Sequence, residues 1–414
     1  MPKEIVLAGQ SDSQVLVPTH VYGNDAEQIA AKWGAKWSTG SFAEFRKTMQ
    51  RDRPLVVAFT PGEYSGQDWY LGERIDQDIY LIGIEGRPVL RGDALTASRF
   101  ASMYIKGLDL ANCGISAQSF RNGPTNMYLT DSYLHDTIGD QNTIGTPNEA
   151  GNYEFNFYVW NTTFEQCGSR GNTRHMMYIH GRPYGLLWVD NVTVLGTKGC
   201  SAFKSTCVRN EIRNSYISTV QDRNDLSRGL KASILIDVPA DSDSIVDRNT
   251  ILLFRDQPDA IAGELGLDNG AIAWRPRREF HASDRPVYRS TEWNDRTFWT
   301  DRAKPFLKEV TNNHFVLLPG SRKTPPVDAQ GTHPRRAVRE FGDTIIESLY
   351  GIYDVWFERD WTLDQGNTYE GFPLGYEAWD LIGSESVAAV ESGSKWDQVT
   401  RKRTVPSVVV KERP

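Results

Sequence analysis

A polar corner followed by a β-branched or aromatic run recurs along the middle of this chain. The corners fall at Gly107, Asp131, Asn161, Asn191, Asn214, Asn249 and Asn313, at spacings of 24, 30, 30, 23, 35 and 64 residues. A unit of that size cannot bury an apolar face alone, so such units stack into a solenoid. A base coil of about 22–25 residues with loop insertions accounts for the first five gaps. The last gap requires an extra coil with a large insertion. Drifting spacing argues against helical repeats, whose rungs tolerate mid-helix insertions poorly. Asn and Asp suit a tight corner because they tolerate left-handed backbone and bond locally. Asn161 and Asn191 also begin Asn-x-Thr triplets, and both are read as structural corners. An antiparallel β-sandwich is the alternative, but the strands lack two-residue hairpin loops.

The expected fold is therefore all-β: a single-stranded parallel β-helix over residues 51–320. Residues 1–50 form an N-terminal helical cap, because an open end coil presents unpaired backbone. Residues 1–25 read as irregular. Helical spacing follows in Asp25–Trp37, and a capping box from Ser41 to Glu44 heads a second short helix to about Gln50. Strands are expected at Leu55–Phe59, Ile79–Ile82 and Val89–Leu90. Residues 275–308 read as a basic, aromatic loop projecting from the solenoid. Residues 321–414 form an aromatic-rich C-terminal extension, with an amphipathic helix expected at Arg335–Tyr350 and a charged tail at the end.

Composition removes several function classes. The net charge of −7 over 414 residues gives nucleic acid no electrostatic support. No run approaches membrane-spanning length, so no membrane partner is expected. The opening MPKEIVLAGQSD has no apolar core, so no signal peptide is visible. An extracellular or virion-associated location is expected, with removal of a signal or export-free assembly explaining that start. Cys113, Cys167, Cys200 and Cys207 form no CxxC pair, and all four read as buried and reduced.

The stretch Arg174–Asn214 carries the candidate chemistry. Short apolar strands at Met176–His180 and Ser201–Ser205 flank a longer run, Leu186–Val194, with a corner at Asp190 and Asn191. Each short strand ends in a polar residue after an apolar one: Ile179-His180, Phe203-Lys204 and, one coil later, Ile236-Asp237. Stacked in register, His180, Lys204 and Asp237 form an outward ladder at about 4.8 Å per rung. Tyr178 faces the same way, His175 lies where the strand begins, and Trp274 is expected at the equivalent place one coil on.

The segments HMMYIHG, AFKSTCVRNEIRNSYI, SILIDVP and SIVDRNTILL resemble the right-handed parallel β-helix of the pectate-lyase-like superfamily, and that resemblance implies a right-handed solenoid here. The resemblance covers roughly residues 50–275. The Lys-Ser strand before an Asn-rich corner is also similar to alginate lyase and chondroitinase B-like lyases. That resemblance implies a lysine base, an assisting arginine and Ca2+ on the substrate carboxylate. The segment before Lys204, LGTKGCSA, holds no acidic residue, so no metal ligand is assigned. A lysine or arginine would neutralise the carboxylate instead.

The expected activity is cleavage of an acidic, uronate-containing polysaccharide by β-elimination. The catalytic candidates are Lys204, His180, Tyr178, Asp237 and His175. His180 is the better base at neutral pH, with Tyr178 as acid. Arg182, Arg209, Arg213 and Arg228, with Trp274, are the substrate-binding candidates. A glycoside hydrolase or phage tail depolymerase on the same scaffold is the rival, pairing Asp237 with Asp136 or Glu154. A non-catalytic glycan-binding or virion structural solenoid is the third reading. A further polar cluster, Asp131, His135, Asp136 and Asp140, fits a metal or hydrolytic site or plain corner chemistry. A monomer and a homotrimer both suit the sequence.

Overall fold

Corner after corner, one residue adopts left-handed backbone: Gly107 at φ 66°, Asp131 at 51°, Asn161 at 49°, Asn191 at 51° and Asn214 at 49°. In this computed structural model of the protein, each such residue closes a strand and turns the chain toward the next sheet. The structure describes residues 3–8, 14–49, 54–119, 123–137, 142–146, 154–168, 175–180, 185–197, 201–222, 224, 234–238, 242–254, 270–274, 307–319, 337–341, 344–349, 352–356, 361–370 and 407–412.

From Leu55 onward each coil gives one strand to each of three sheets, so the chain is a parallel β-helix. The first sheet has 12 strands, the second 10 and the third 11. Pairing is parallel and in register along the first sheet: Leu55 with Ile79, Met103 with Ile79 and Met127, then Phe157 and Leu187. The second sheet stacks Leu90, Leu110, Leu134, Phe164, Val194, Ile217, Ile251 and Phe315. In the third sheet the stack is Leu95, Ile115, Ile144, Met177, Phe203, Ile236 and Ile272. All three columns point inward and form one continuous core. Each fully buried Phe, such as Phe157, Phe164 or Phe203, contributes about 1.5–3 kcal/mol of burial.

The cap follows the sequence in part. Ser41 Oγ accepts from the Glu44 N–H at 3.4 Å, heading a helix over Phe42–Arg46. The first helix is only Ala26–Ala31. The chain then turns through Gly34 at φ 64° into a short strand, Lys36–Ser38. The irregular start expected before Asp25 instead contains strands Lys3–Ala8, Gln14–Leu16 and His20–Tyr22. The Ser407–Glu412 strand, expected as charged tail, pairs antiparallel with Lys3–Ala8. The amphipathic stretch expected as a helix at Arg335–Tyr350 contains two antiparallel strands, Ala337–Phe341 and Thr344–Leu349. Its alternating apolar positions serve a strand as well as a helix, and the neighbouring strand Ile352–Trp356 decides between them. The loop expected at 275–308 lies almost wholly outside the described residues. Cys113, Cys167 and Cys207 are reduced and buried, and Cys200 is outside the described residues.

Two corners sit one residue earlier than the sequence pattern suggested. Arg248 at φ 56° and Asn312 at φ 55° take the left-handed position, not Asn249 and Asn313. Asn249 and Asn313 instead start a buried ladder that continues to Asn367. Asn249 Nδ2 donates to Asn313 Oδ1 at 3.0 Å, and Asn313 Nδ2 to Asn367 Oδ1 at 3.0 Å. Each amide also donates to a backbone carbonyl one coil back: Ile212 for Asn249, Val246 for Asn313 and Val310 for Asn367.

Candidate functional site

Strand alternation sets the outer wall of the third sheet. Met177 and Ile179 are buried in the core while Tyr178 faces out, and Phe203, Lys204 and Ser205 repeat that order. Tyr178 pairs with Lys204, and Lys204 with Asp237, so these three share one outer column. The sequence pattern placed His180 in that column. The register is shifted by two residues, and His180 instead follows the strand end. It lies on the same side as Tyr178, because residues two apart share a face.

The five catalytic candidates meet. The rings of Tyr178 and His180 lie 4.0 Å apart, inclined at 44°. His175 packs edge-on against Tyr178, 5.3 Å away at 66°. Lys204 Nζ sits 5.0 Å from the centre of the Tyr178 ring and 3.6 Å from Asp237 Oδ2. Asp237 is 3% exposed and its partner's side chain 17%. His175 and His180 are buried as well.

The preceding coil holds both histidines in place. The backbone N–H of His175 donates to Asn142 Oδ1 at 2.7 Å, and that of His180 to Thr146 Oγ1 at 2.7 Å. One coil on, the Ser201 N–H donates to His175 Nδ1 at 3.1 Å. That bond makes Nδ1 the acceptor, so the neutral tautomer of His175 carries its proton on Nε2. Sequence reasoning missed Asn142, Thr146 and Ser201. Asn142 and Thr146 act across a coil boundary, 33 and 34 residues from their partners.

The binding candidates fare differently. Arg209 and Arg213 lie on the first sheet, not the third. Arg209 Nη2 is 2.5 Å from Glu211 Oε1, and Arg213 Nη1 is 3.3 Å from Asp247 Oδ2. They follow Lys204 closely in sequence, but the corner at Cys207 and Val208 carries them to another face. Trp274 pairs with Val238, in the column of the core residues Ile179 and Val238 and one position off the Lys204 column. Arg182 and Arg228 lie outside the described residues.

The rival carboxylate pairs are split between sheets. Asp136 follows a second-sheet strand and sits 2.8 Å from His135 Nδ1. Glu154 precedes a first-sheet strand and accepts from Asn156 Nδ2 at 2.8 Å. Asp237 belongs to the third sheet. In the other polar cluster, His135 Nε2 contacts Asp109 Oδ1 at 2.9 Å, and Tyr133 bonds to Glu165. Asp131 serves its corner instead, contacting Lys106 Nζ at 3.3 Å. Asp140 lies outside the described residues.

Calcium requires six to eight oxygen ligands. Among the described residues, the cluster around Lys204 offers one carboxylate, already paired with an ammonium, beside a phenol and two imidazoles. That donor set does not fit Ca2+. Among the described residues, no group of three or more His, Cys, Asp or Glu side chains is placed to hold a metal ion. No described helix is long and apolar enough to cross a membrane.

Fold and site together define a parallel β-helix with a lysine-centred polar cluster built into one outer wall. No protein-family model, curated protein or solved structure matches the chain.

Proposed function

We propose that this protein is a polysaccharide lyase that cleaves an acidic, uronate-containing glycan by β-elimination, in the manner of pectate-lyase-like β-helices. The supporting observation is the joint placement of Tyr178, His180, Lys204 and Asp237 on one wall, with the Tyr178 and His180 rings 4.0 Å apart. Elimination needs a cation for the substrate carboxylate, a base for the proton α to it and an acid for the leaving oxygen. Lys204, held by Asp237, supplies the cation. His180 removes the α-proton. The electron pair of that C–H bond becomes the new double bond, the β C–O bond breaks, and Tyr178 protonates the departing oxygen. His175, a donor through Nε2, orients Tyr178 or the substrate. An extracellular or virion-borne location goes with such a substrate.

Incubation with polygalacturonate, alginate and glycosaminoglycans tests the reading. Ultraviolet absorbance from a conjugated unsaturated uronate is the expected result, abolished in Lys204→Ala and His180→Ala. New reducing ends without that absorbance would mean a hydrolase. Binding without either product would mean an adhesin. Unchanged turnover in both variants would remove the cluster from the chemistry.

A further inference from the structure

The outer face of the first sheet carries a column of aromatic side chains that runs away from the cap. Tyr80, Tyr104, Tyr128, Tyr158 and Trp188 are register partners in turn. The tyrosines stack flat, with ring centres 4.3–4.9 Å apart and planes within 8°. The cap end of the column is buried with the Ala26–Ala31 helix. At the other end the order breaks. Trp188 is tilted 48° from Tyr158 and stands at 69° to Trp160, and all three are partly exposed. The two indoles thus diverge, Trp160 with Tyr158 packing partly against the buried cluster, and both indoles keep part of their surface in solvent. The next rung replaces aromatics with charge: Glu211 follows Trp188 in its column, and Asp190 then Arg213 follow Trp160.

We infer that Tyr158, Trp160 and Trp188, with Asp190 and Arg213, form a glycan-binding platform for neutral sugar rings, Glu211 being buried at 3% exposure and holding Arg213. This surface lies on a different sheet from the Lys204 cluster, so it does not rest on the lyase reading. A pyranose ring combines an apolar C–H face with a rim of hydroxyls. It matches a surface where indole faces adjoin fixed donors and acceptors. From the Tyr158 rung to the Glu211 rung is two steps, about 10 Å, long enough for consecutive sugars of a linear polymer. Each guanidinium here already has a carboxylate beside it: Arg209 has Glu211 at 2.5 Å, Arg213 has Glu211 at 3.6 Å and Asp247 at 3.3 Å, and Arg248 has Asp247 at 3.1 Å. A uronate would have to compete with those carboxylates, two of them at Arg213, so the platform favours uncharged rings.

Binding of xylan, mannan and β-glucan, measured by affinity electrophoresis and tryptophan fluorescence, tests this with polygalacturonate as the charged comparison. The wild type is expected to bind at least one neutral polymer. Trp188→Ala and Trp160→Ala are each expected to weaken that binding at least about tenfold, while Trp188→Tyr retains most of it. Lys204→Ala is expected to bind neutral polymer as the wild type does, which separates the platform from the catalytic proposal. Circular dichroism establishes that each variant folds. If Trp188→Ala does not fold, Trp160→Ala and Asp190→Ala carry the test. No binding of any neutral polymer, or binding indifferent to the folded variants, overturns the inference. So does polygalacturonate binding that depends on Trp188 in preference to the neutral polymers.

Discussion

Tyr178 and Lys204 are register partners on adjacent coils, and the lysine ammonium lies 5.0 Å from the centre of the phenol ring. A cation in that position is attracted by the ring quadrupole, worth about 0.5–2 kcal/mol depending on desolvation. The attraction needs the ring and not the hydroxyl, which separates two roles of one side chain. Tyr178→Phe is expected to keep this contribution to stability while elimination falls about 10²–10⁴-fold, the usual worth of a positioned acid. Tyr178→Ala is expected to lose both stability and turnover. A Phe variant with full activity would take the hydroxyl out of the mechanism.

Asp237 is nearly inaccessible, and Lys204 stands 3.6 Å from its carboxylate. Removing one member of such a pair leaves a buried charge without its counter-ion, at a cost of about 3–5 kcal/mol. Lys204→Ala is therefore expected to lower unfolding free energy by about 3 kcal/mol, and Asp237→Asn by less, because an amide remains a hydrogen-bonding neutral. The double variant Lys204→Met/Asp237→Leu is expected to recover most of that stability yet stay inactive. Urea titration of the three variants checks the order. Equal stability of all three would mean that the pair is solvated.

Asn313 makes its bonds in the interior at 1% exposure. Its Nδ2 donates to Val246 O at 2.8 Å and Asn367 Oδ1 at 3.0 Å, and its Oδ1 accepts from the Asn249 N–H at 2.9 Å. Asn313→Ala leaves those partners unsatisfied, at about 1–3 kcal/mol for each buried group. In a solenoid, stability is nearly a sum over neighbouring rungs. The loss should therefore stay local. Hydrogen exchange is expected to quicken at Val310, Phe315 and Thr368 while the rungs around Leu81 and Leu129 keep wild-type protection.

How much of this was legible in the sequence follows from the range of each signal. Strand Leu55–Phe59 and the corners from Gly107 to Asn214 were read correctly, because apolar alternation and corner chemistry act within a few residues. Asn249 and Asn313 were placed one residue off, since an asparagine suits a left-handed corner and a buried amide ladder equally well. The membership of the cluster was also legible, because Tyr178 and His180 share a face by parity alone. Its register was not, because a two-residue shift between coils keeps every apolar residue inside. Arg209 and Arg213 were assigned by nearness along the chain, and one corner between sheets undid that. Asn142 and Thr146 left no trace, since they act on the histidines from the preceding coil.

Arg248 adopts φ 56° at a corner where other coils place Asp131, Asn161, Asn191 and Asn214. Left-handed backbone costs a residue with an extended side chain about 1–2 kcal/mol, and glycine pays none of the Cβ penalty. The opposing contribution is the 3.1 Å contact with Asp247, whose partner Arg213 remains in place, and the Arg248 side chain is 56% exposed. An exposed pair is worth about 0–1 kcal/mol. Strain relief should exceed that loss, so Arg248→Gly and Arg248→Asn are expected to raise the thermal midpoint. A fall in both would show that the pair with Asp247 outweighs the backbone strain.

Alkaline stability follows from the buried phenols. Tyr22 is 1% exposed, its hydroxyl donating to Gly40 O at 2.7 Å, and burial pushes its pKa up to about 12, with Tyr64 adding to the shift. Burial likewise raises Tyr80, Tyr104 and Tyr128 in the outer stack. An unfolded phenol ionises near pH 10, so above that pH the unfolded chain releases protons that the folded chain retains. The contribution is complete below about pH 10 and declines as pH climbs toward each folded value, by at most about 1.4 kcal/mol per pH unit for each tyrosine. Tyrosinate absorbance and circular dichroism are expected to change together, in one cooperative step above pH 10. Tyr104→Phe, which keeps the ring stack and removes one such group, is expected to move that step to higher pH. Titration of all the tyrosines near pH 10 with the circular dichroism intact would mean that the stack is open to solvent.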